Sequence, residues 1–375
     1  MRNKLALINA SNLHQGGGVQ VAISFLHEIS LLNEDLKSIH VIVSTEVNQG
    51  LIYLNINTSV FGDYYVFDSF GLKAFISGLN SRISKYDLVF TIFGPNYLIR
   101  HAKYEIVGFA QPWILNFNNP ISKSMSFFSR VILKIKFELQ WLFFLRADHY
   151  IVELEHVKKD LNCSKGISNT SISVVHNTVS SLYKNKDSWS SIVINKNVAK
   201  IALGIVSRDY PHKNIKILPY VAEFLKERYS LDIHFYVTLN DIEWAKKDDY
   251  FKKYVSNVGS LTPDQCPSFY EQMDGIIFPS LLECFSATPL EAMAMYKPLF
   301  ASDRGFVRDV CADYAIYFDP LDINDIAFKI ANYFNDEKAD YTNFLQNARE
   351  HALNFSTAEN RASEYLKIIR QNLEG

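Results

Sequence analysis

Four charged side chains stand where chemistry is possible: Glu283 and Glu291, with seven residues between them, and Arg208 and Lys213 in a turn further up the chain. The glutamates belong to Phe278–Gly305, FPSLLECFSATPLEAMAMYKPLFASDRG. After the apolar run Gly275 to Phe278, Pro279 and Ser280 end a strand, and Thr288-Pro289-Leu290-Glu291 reads as a helix start with Thr288 at the N-cap and Glu291 at N3. Free N–H groups from Cys284 to Ser286 and the positive end of the helix would then face an anion, phosphate above all. Spacing alone leaves a second reading open, in which Thr288 and Glu291 are only a capping box and Glu283 is a solvated loop carboxylate. Arg208 and Lys213 lie in Ser207-Arg208-Asp209-Tyr210-Pro211-His212-Lys213-Asn214, directly after a strand. Arg offers a fork for two oxygens and Lys a point charge, as a phosphate rim requires, although a plain solvated turn has the same composition.

The whole phrase carries more than its spacing. Pro279-Ser280, Glu283-Cys284-Phe285-Ser286, Pro289-Leu290-Glu291-Ala292-Met293-Ala294, Lys297-Pro298 and Ala301-Ser302-Asp303 together resemble the nucleotide-sugar loop of the retaining family-four glycosyltransferases of GT-B fold. The resemblance implies that Arg208 and Lys213 bind a diphosphate, Glu291 holds ribose hydroxyls, Glu283 meets the transferred sugar, and Phe285 and Ser286 present N–H groups to phosphate. It implies a donor that is a GDP- or UDP-linked sugar, retention of anomeric configuration, and a glycan or polyprenyl-linked acceptor, in a setting of bacterial surface-polysaccharide synthesis at the cytoplasmic side of the membrane. Catalysis would rest on preplaced positive charge facing the departing diphosphate. No Asp-x-Asp pair occurs, so neither a metal nor another cofactor is expected. One departure stands out. Many members carry a histidine in the first-domain loop that faces the sugar, where this chain reads Phe109-Ala110-Gln111-Pro112-Trp113. Gln111 and Trp113 are therefore expected on the acceptor or sugar side, and since Gln111 cannot act as a base, His14 and His101 remain candidates for that role.

The elements that must position these residues follow from length and pattern. At 375 residues with 48% hydrophobic and 14% aromatic content, the chain is long enough for two cores. A formal net charge of −2 gives no global drive toward nucleic acid. Cys163, Cys266, Cys284 and Cys311 show no paired or ligand spacing, which fits a reduced compartment. Leu5–Ile8 is too short an apolar run for a targeting segment, and Val131–Leu145 is interrupted by Lys134, Lys136 and Glu138, so no membrane span is expected.

Leu5–Ile8, Gly16-Gly17-Gly18 and an apolar-periodic helix from Val19 make a strand, glycine loop and helix, with Gly17 and Gly18 as candidate donor contacts. A dinucleotide fingerprint would need a glycine where Val21 stands, with Glu46 as the ribose acid; a nicotinamide-dependent oxidoreductase is thus one alternative, and a sugar-nucleotide epimerase of the same architecture another. Strands at 41–43, 88–93, 106–110, 150–152 and 172–176, then at 200–206, 233–237, 255–259, 275–278 and 298–301, alternate with helical stretches. That alternation predicts an α/β protein of two doubly wound, Rossmann-like domains facing each other across a cleft. The expected boundaries are an acceptor domain at 1–176, a linker at 177–197, a donor domain at 198–357, and a C-terminal helix at 358–371 crossing back onto the first domain. Lys123–Arg146 winds as one helix, with Phe128, Ile132, Ile135, Leu139 and Leu142 on a stripe expected to pack inward. Arg130, Lys134, Phe137 and Trp141 share the other stripe, expected to face outward toward an anionic membrane, with the alternative left open that Phe137 and Trp141 are ordinary core contacts and the cations a solvated face.

Overall fold

The computed structural model describes residues 4–32, 34–69, 79–97, 102–196, 200–336 and 340–374; His101 lies outside them. The chain divides into two compact units, the first built from 1–117, 125–177 and 356–375, the second from 118–124 and 178–355.

The first unit holds a seven-stranded parallel sheet in the order β3-β2-β1-β4-β5-β6-β7, formed by β1 (Ala6–Ala10), β2 (Ile39–Val43), β3 (Asp63–Val66), β4 (Leu88–Thr91), β5 (Tyr104–Gly108), β6 (His149–Val152) and β7 (Ile172–Val174). Its central strands β1, β4, β5 and β6 are buried on both faces, which is why most of them read as apolar runs. Ala6, Ile8 and Ala10 of β1 join a core with the helices Gly17–Ser30 and Ala358–Glu374, while Leu7 turns to the opposite face beside Leu79 and Ile83. The period of two along a strand sends alternate side chains to the two layers. The C-terminal helix is seated by Tyr365, whose ring meets Phe25 and Phe90 edge-on at 5.1 and 5.2 Å.

The second unit holds a six-stranded parallel sheet in the order β10-β9-β8-β11-β12-β13, with β8 (Ile201–Ile205), β9 (Ile233–Val237), β10 (Val255–Asn257), β11 (Gly275–Phe278), β12 (Leu299–Ser302) and β13 (Ile316–Phe318). Strands β3 and β13, which the sequence pattern did not single out, are short edge strands. The polar stretch after Asn177 is packed onto this unit. Tyr183 is buried, Ser190 N donates to Asp264 O at 3.0 Å, and Ile192 N donates to Ser268 Oγ at 3.1 Å.

The helix expected over 123–146 is broken at Met125 and Ser126, where Ser126 caps a new helix, Phe127–Phe144, by accepting from Ser129 N. Its orientation corrects the expected faces. Phe137, Trp141 and Phe144 are buried, with Trp113 stacked on Phe137 at 5.8 Å and Phe109 edge-on to Trp141 at 6.4 Å. Phe128, Ile132, Ile135, Leu139 and Leu142 are the residues that face out. Both stripes carry large apolar side chains, so periodicity marks two candidate faces; the aromatic one buries more area per residue and matches the rings waiting on the sheet. Phe137 and Trp141 are therefore core residues and not a membrane face.

Candidate active site

In each sheet the chain reverses its direction of growth between two central strands, β1 and β4 in the first, β8 and β11 in the second. Loops leaving the carboxyl ends of such a pair diverge to opposite faces and open a crevice, the usual ligand position in open α/β sheets. In the second unit β8 and β11 run parallel with Leu203 opposite Gly275 and Gly204 opposite Ile276. A Cβ at Gly204 would sit 2.6 Å from Met273 Cγ and 2.8 Å from Phe269 Cε1, so only glycine lets the segment around Cys266–Glu271 pack this close to β8.

The two motifs meet at this edge. Leu281 N donates to His212 O at 2.7 Å, joining the loop after β11 to the one after β8. Lys213 Nζ then lies 2.5 Å from Glu283 Oε1, and Ser280 Oγ donates to the same oxygen at 3.0 Å. Both charged side chains are mostly buried, at 15% and 12% exposure. Pro211–Lys213 is a single 3-10 turn ended by Asn214, which takes a left-handed φ of 54° and donates its amide to Pro320 O at 2.9 Å. Burial lowers the His212 pKa, with Glu283 opposing and Lys213 adding to the shift.

Glu291 does not form the capping box that its spacing from Thr288 left open. The helix Thr288–Ala294 begins one residue early, with Ala287 at the N-cap in αR conformation and no side-chain cap, so Thr288 and Glu291 form no capping box. The Glu291 carboxylate instead accepts from Tyr270 Oη at 2.8 Å and from the Tyr183 hydroxyl. Buried phenols require an acceptor, whereas a cap near solvent can be satisfied by water, so the carboxylate serves the phenols. Burial raises the Glu291 pKa; hydrogen bonds from Tyr270 and Tyr183 and the charge of Lys213 oppose the rise. Burial likewise pushes both phenols up, beside the Glu291 charge. Phe285 and Ser286 are half-buried in the loop just before this helix.

Arg208 is paired away from the glutamates. Its Nε donates to both carboxylate oxygens of Glu243, at 2.9 and 3.0 Å, and Glu243 also closes a capping box with Asn240. Asp209 in the same loop pairs with Lys247 at 2.7 Å.

In the first unit, Gly16 is the N-cap of Gly17–Ser30 with φ 71°, a conformation that favours glycine. A Cβ at Gly18 would meet Leu13 Cδ2 at 3.2 Å, and one at Gly17 would meet nothing within 4 Å. His14 Nδ1 lies 2.9 Å from Glu46 Oε2 and 3.7 Å from Asp68 Oδ1, while Asp68 accepts from Thr45 N and Oγ1. Among the described residues these three side chains have metal-ligating types, with ligand atoms within 4.8 Å of one another. Glu46 is thus tied to His14, and its pKa is lowered by that hydrogen bond. Gln111 stands at the N-cap of Pro112–Leu115 without capping through its side chain, and Trp113 packs on Phe137.

Residues 191–351 match the family model described as "Glycosyl transferases group 1". This segment is a group 1 glycosyltransferase domain. A curated relative, the O-antigen chain mannosyltransferase RfbU of Salmonella typhimurium, is 24% identical over 185 residues, 47% of this chain and 48% of the relative; the matched part spans about half of that protein. Solved structures with similar folds include a glycosyltransferase from Rickettsia africae ESF-5 (16% identity, 100% of each chain, TM-score 0.67). Sucrose-phosphate synthase from Thermosynechococcus elongatus (13% identity, 99% of each chain, TM-score 0.68) is another. Anabaena Alr3699/HepE in complex with UDP is a third (14% identity, 98% of this chain and 100% of that one, TM-score 0.63). The architecture of two Rossmann-like units is the GT-B fold.

Within and beside the group 1 domain, sequence reasoning passed over Tyr183, Tyr270, Ser280 and Glu243 as partners of the charged residues. Ser280 was within reach, three residues before Glu283 in one loop. Tyr183 carried no signal, because it sits in a polar stretch more than a hundred residues before Glu291.

Proposed function

We propose that the chain is a retaining, metal-independent glycosyltransferase that moves a hexose from a UDP- or GDP-linked donor to a glycan or polyprenyl-linked acceptor in surface-polysaccharide synthesis. The observation that carries this reading is the meeting of Lys213, Glu283 and Glu291 at the β8/β11 switch point, within a group 1 glycosyltransferase domain. Lys213, and the Nη groups of Arg208 left over by its Nε pair with Glu243, would stabilise charge on the leaving diphosphate. Glu291, fixed by two phenols, retains lone pairs for ribose hydroxyls, and Glu283 is the sugar-side carboxylate. Phe285 and Ser286 would offer N–H groups to phosphate, and Gly17 and Gly18 are candidate ligand contacts of the first unit. Gln111 and Trp113 would flank the sugar or acceptor.

The family match favours transfer over epimerisation, and the engagement of Glu46 by His14 speaks against a ribose acid of a dinucleotide site. An acceptor on a lipid carrier would set the enzyme at the inner face of the membrane. The test is a thermal-shift screen against nucleoside diphosphates and their sugars, followed by transfer of labelled sugar with excess EDTA present. A nucleotide sugar should raise Tm and label should reach the acceptor in the α configuration for an α-linked donor. Stabilisation by nicotinamide dinucleotides alone, or turnover that needs added magnesium, would overturn the assignment.

A further inference from the structure

The outward stripe of the helix Phe127–Phe144 is the most apolar exposed face on any described helix of the molecule. Phe128, Ile132, Ile135, Leu139 and Leu142 are 78, 68, 55, 55 and 58% exposed, with Phe127 beside them at 75%. At 100° per residue the five fall within an arc of about 80°, and from Phe128 to Leu142 they run about 21 Å along the helix. Among the described residues of its unit none covers them, and the opposite face, Phe137, Trp141 and Phe144, already seats the helix. Exposing a continuous apolar strip of this kind marks a contact surface.

Charge decides which contact. The helix carries Arg130, Lys134 and Lys136 against Glu138 alone, a surplus of two positive charges on a chain whose net charge is −2. Lys136 and Glu138 are exposed at about +80° and −80° from the centre of the stripe, and Lys134, also exposed, lies beyond Glu138 at about −120°. A bilayer surface asks for that arrangement: apolar side chains at the acyl boundary, with cations beside them at the headgroups. No described helix is long and apolar enough to cross a membrane, so the helix lies along the surface.

We propose that the stripe Phe128, Ile132, Ile135, Leu139 and Leu142, on a helix whose Arg130, Lys134 and Lys136 outnumber Glu138, docks the protein on an anionic lipid bilayer. The docking face is opposite to the one that carries Phe137 and Trp141.

The test is flotation of the full chain with phosphatidylcholine vesicles, with and without about one third phosphatidylglycerol. Wild type should float with the anionic vesicles and bind the neutral ones far less. Phe128→Gln, Ile132→Gln and Leu139→Gln combined should abolish flotation while leaving Tm unchanged, because the three side chains are exposed and glutamine keeps helix propensity. Lys134→Glu with Lys136→Glu should weaken binding about tenfold or more and remove its salt dependence. Failure of wild type to float, or flotation of the glutamine triple at wild-type level, overturns the proposal. A concentration-dependent dimer seen by sedimentation, lost in the triple and accompanied by no flotation, would also overturn it and assign the face to a second copy of the chain. Donor-induced thermal shifts in the triple separate this result from a failure of the transferase reading.

Discussion

The Lys213–Glu283 pair offers a quantitative test of how the second unit's site is built. At 2.5 Å, with 15% and 12% side-chain exposure, it sits between a surface ion pair and a fully buried one. Surface pairs contribute about 0–1 kcal/mol, and breaking a fully buried pair costs about 3–5 kcal/mol. Lys213→Ala leaves Glu283 mostly dehydrated with Ser280 as its remaining protein donor, so we expect a loss of about 2–3 kcal/mol. For a unit of this size that corresponds to a fall in Tm of roughly 4–12 °C. Glu283→Gln should cost less, since an amide oxygen still accepts from Ser280 and no carboxylate is stranded. The double variant Lys213→Met with Glu283→Gln should cost less than the sum of Lys213→Met and Glu283→Gln taken singly, with a coupling of about 1–2 kcal/mol. Equilibrium denaturation of wild type, both singles and the double closes the cycle. A coupling below about 0.5 kcal/mol would refute the reasoning, because the pair would then be behaving as a solvated contact. In the same set, Lys213→Met should lower transfer by about 100-fold at saturating donor, the loss expected of a preplaced charge facing the leaving group.

Three further outcomes follow from other parts of the molecule. Glu153 is buried at the carboxyl end of β6, and burial raises its pKa from an ordinary 4.5 to about 7, with an Asn177 hydrogen bond and the Arg361 charge opposing. The folded state then keeps a proton that the unfolded chain releases between those values, so stability should fall as pH rises from about 4.5 to 7, by about 3 kcal/mol in total, and Glu153→Gln should flatten that slope in pH-dependent denaturation. Gly17→Ala meets no atom within 4 Å and adds helix propensity, so Tm should hold or rise slightly, while donor KM should climb if backbone there approaches the donor; an unchanged KM would remove Gly17 from the site. Tyr270→Phe removes one of two phenol donors to Glu291 and should raise donor KM more than it lowers kcat, with Tyr183→Phe acting alike; an equal loss in kcat with unchanged KM would place Glu291 elsewhere in the reaction.

The sequence alone determined the two parallel sheets, because strands buried on both faces must be short, continuous apolar runs, and Ile201–Ile205 and Gly275–Phe278 have no other way to be satisfied. It also marked the two loops that meet at the site, since their proline, serine and charged residues fall directly after those strands. What it left open were choices between equivalent partners. Whether Glu291 caps its own helix or binds Tyr270 and Tyr183 depends on which donor is buried, and the phenols are far away in sequence. Whether Arg208 stands free or is forked onto Glu243 depends on strand order, which sets the loops after β8 and β9 side by side. The helix Phe127–Phe144 is the clearest case. Two apolar stripes satisfy the same periodicity, and only the rings of Phe109, Trp113 and Tyr150, brought together by the first sheet, decide that Phe137 and Trp141 turn inward and leave Phe128 to Leu142 facing out.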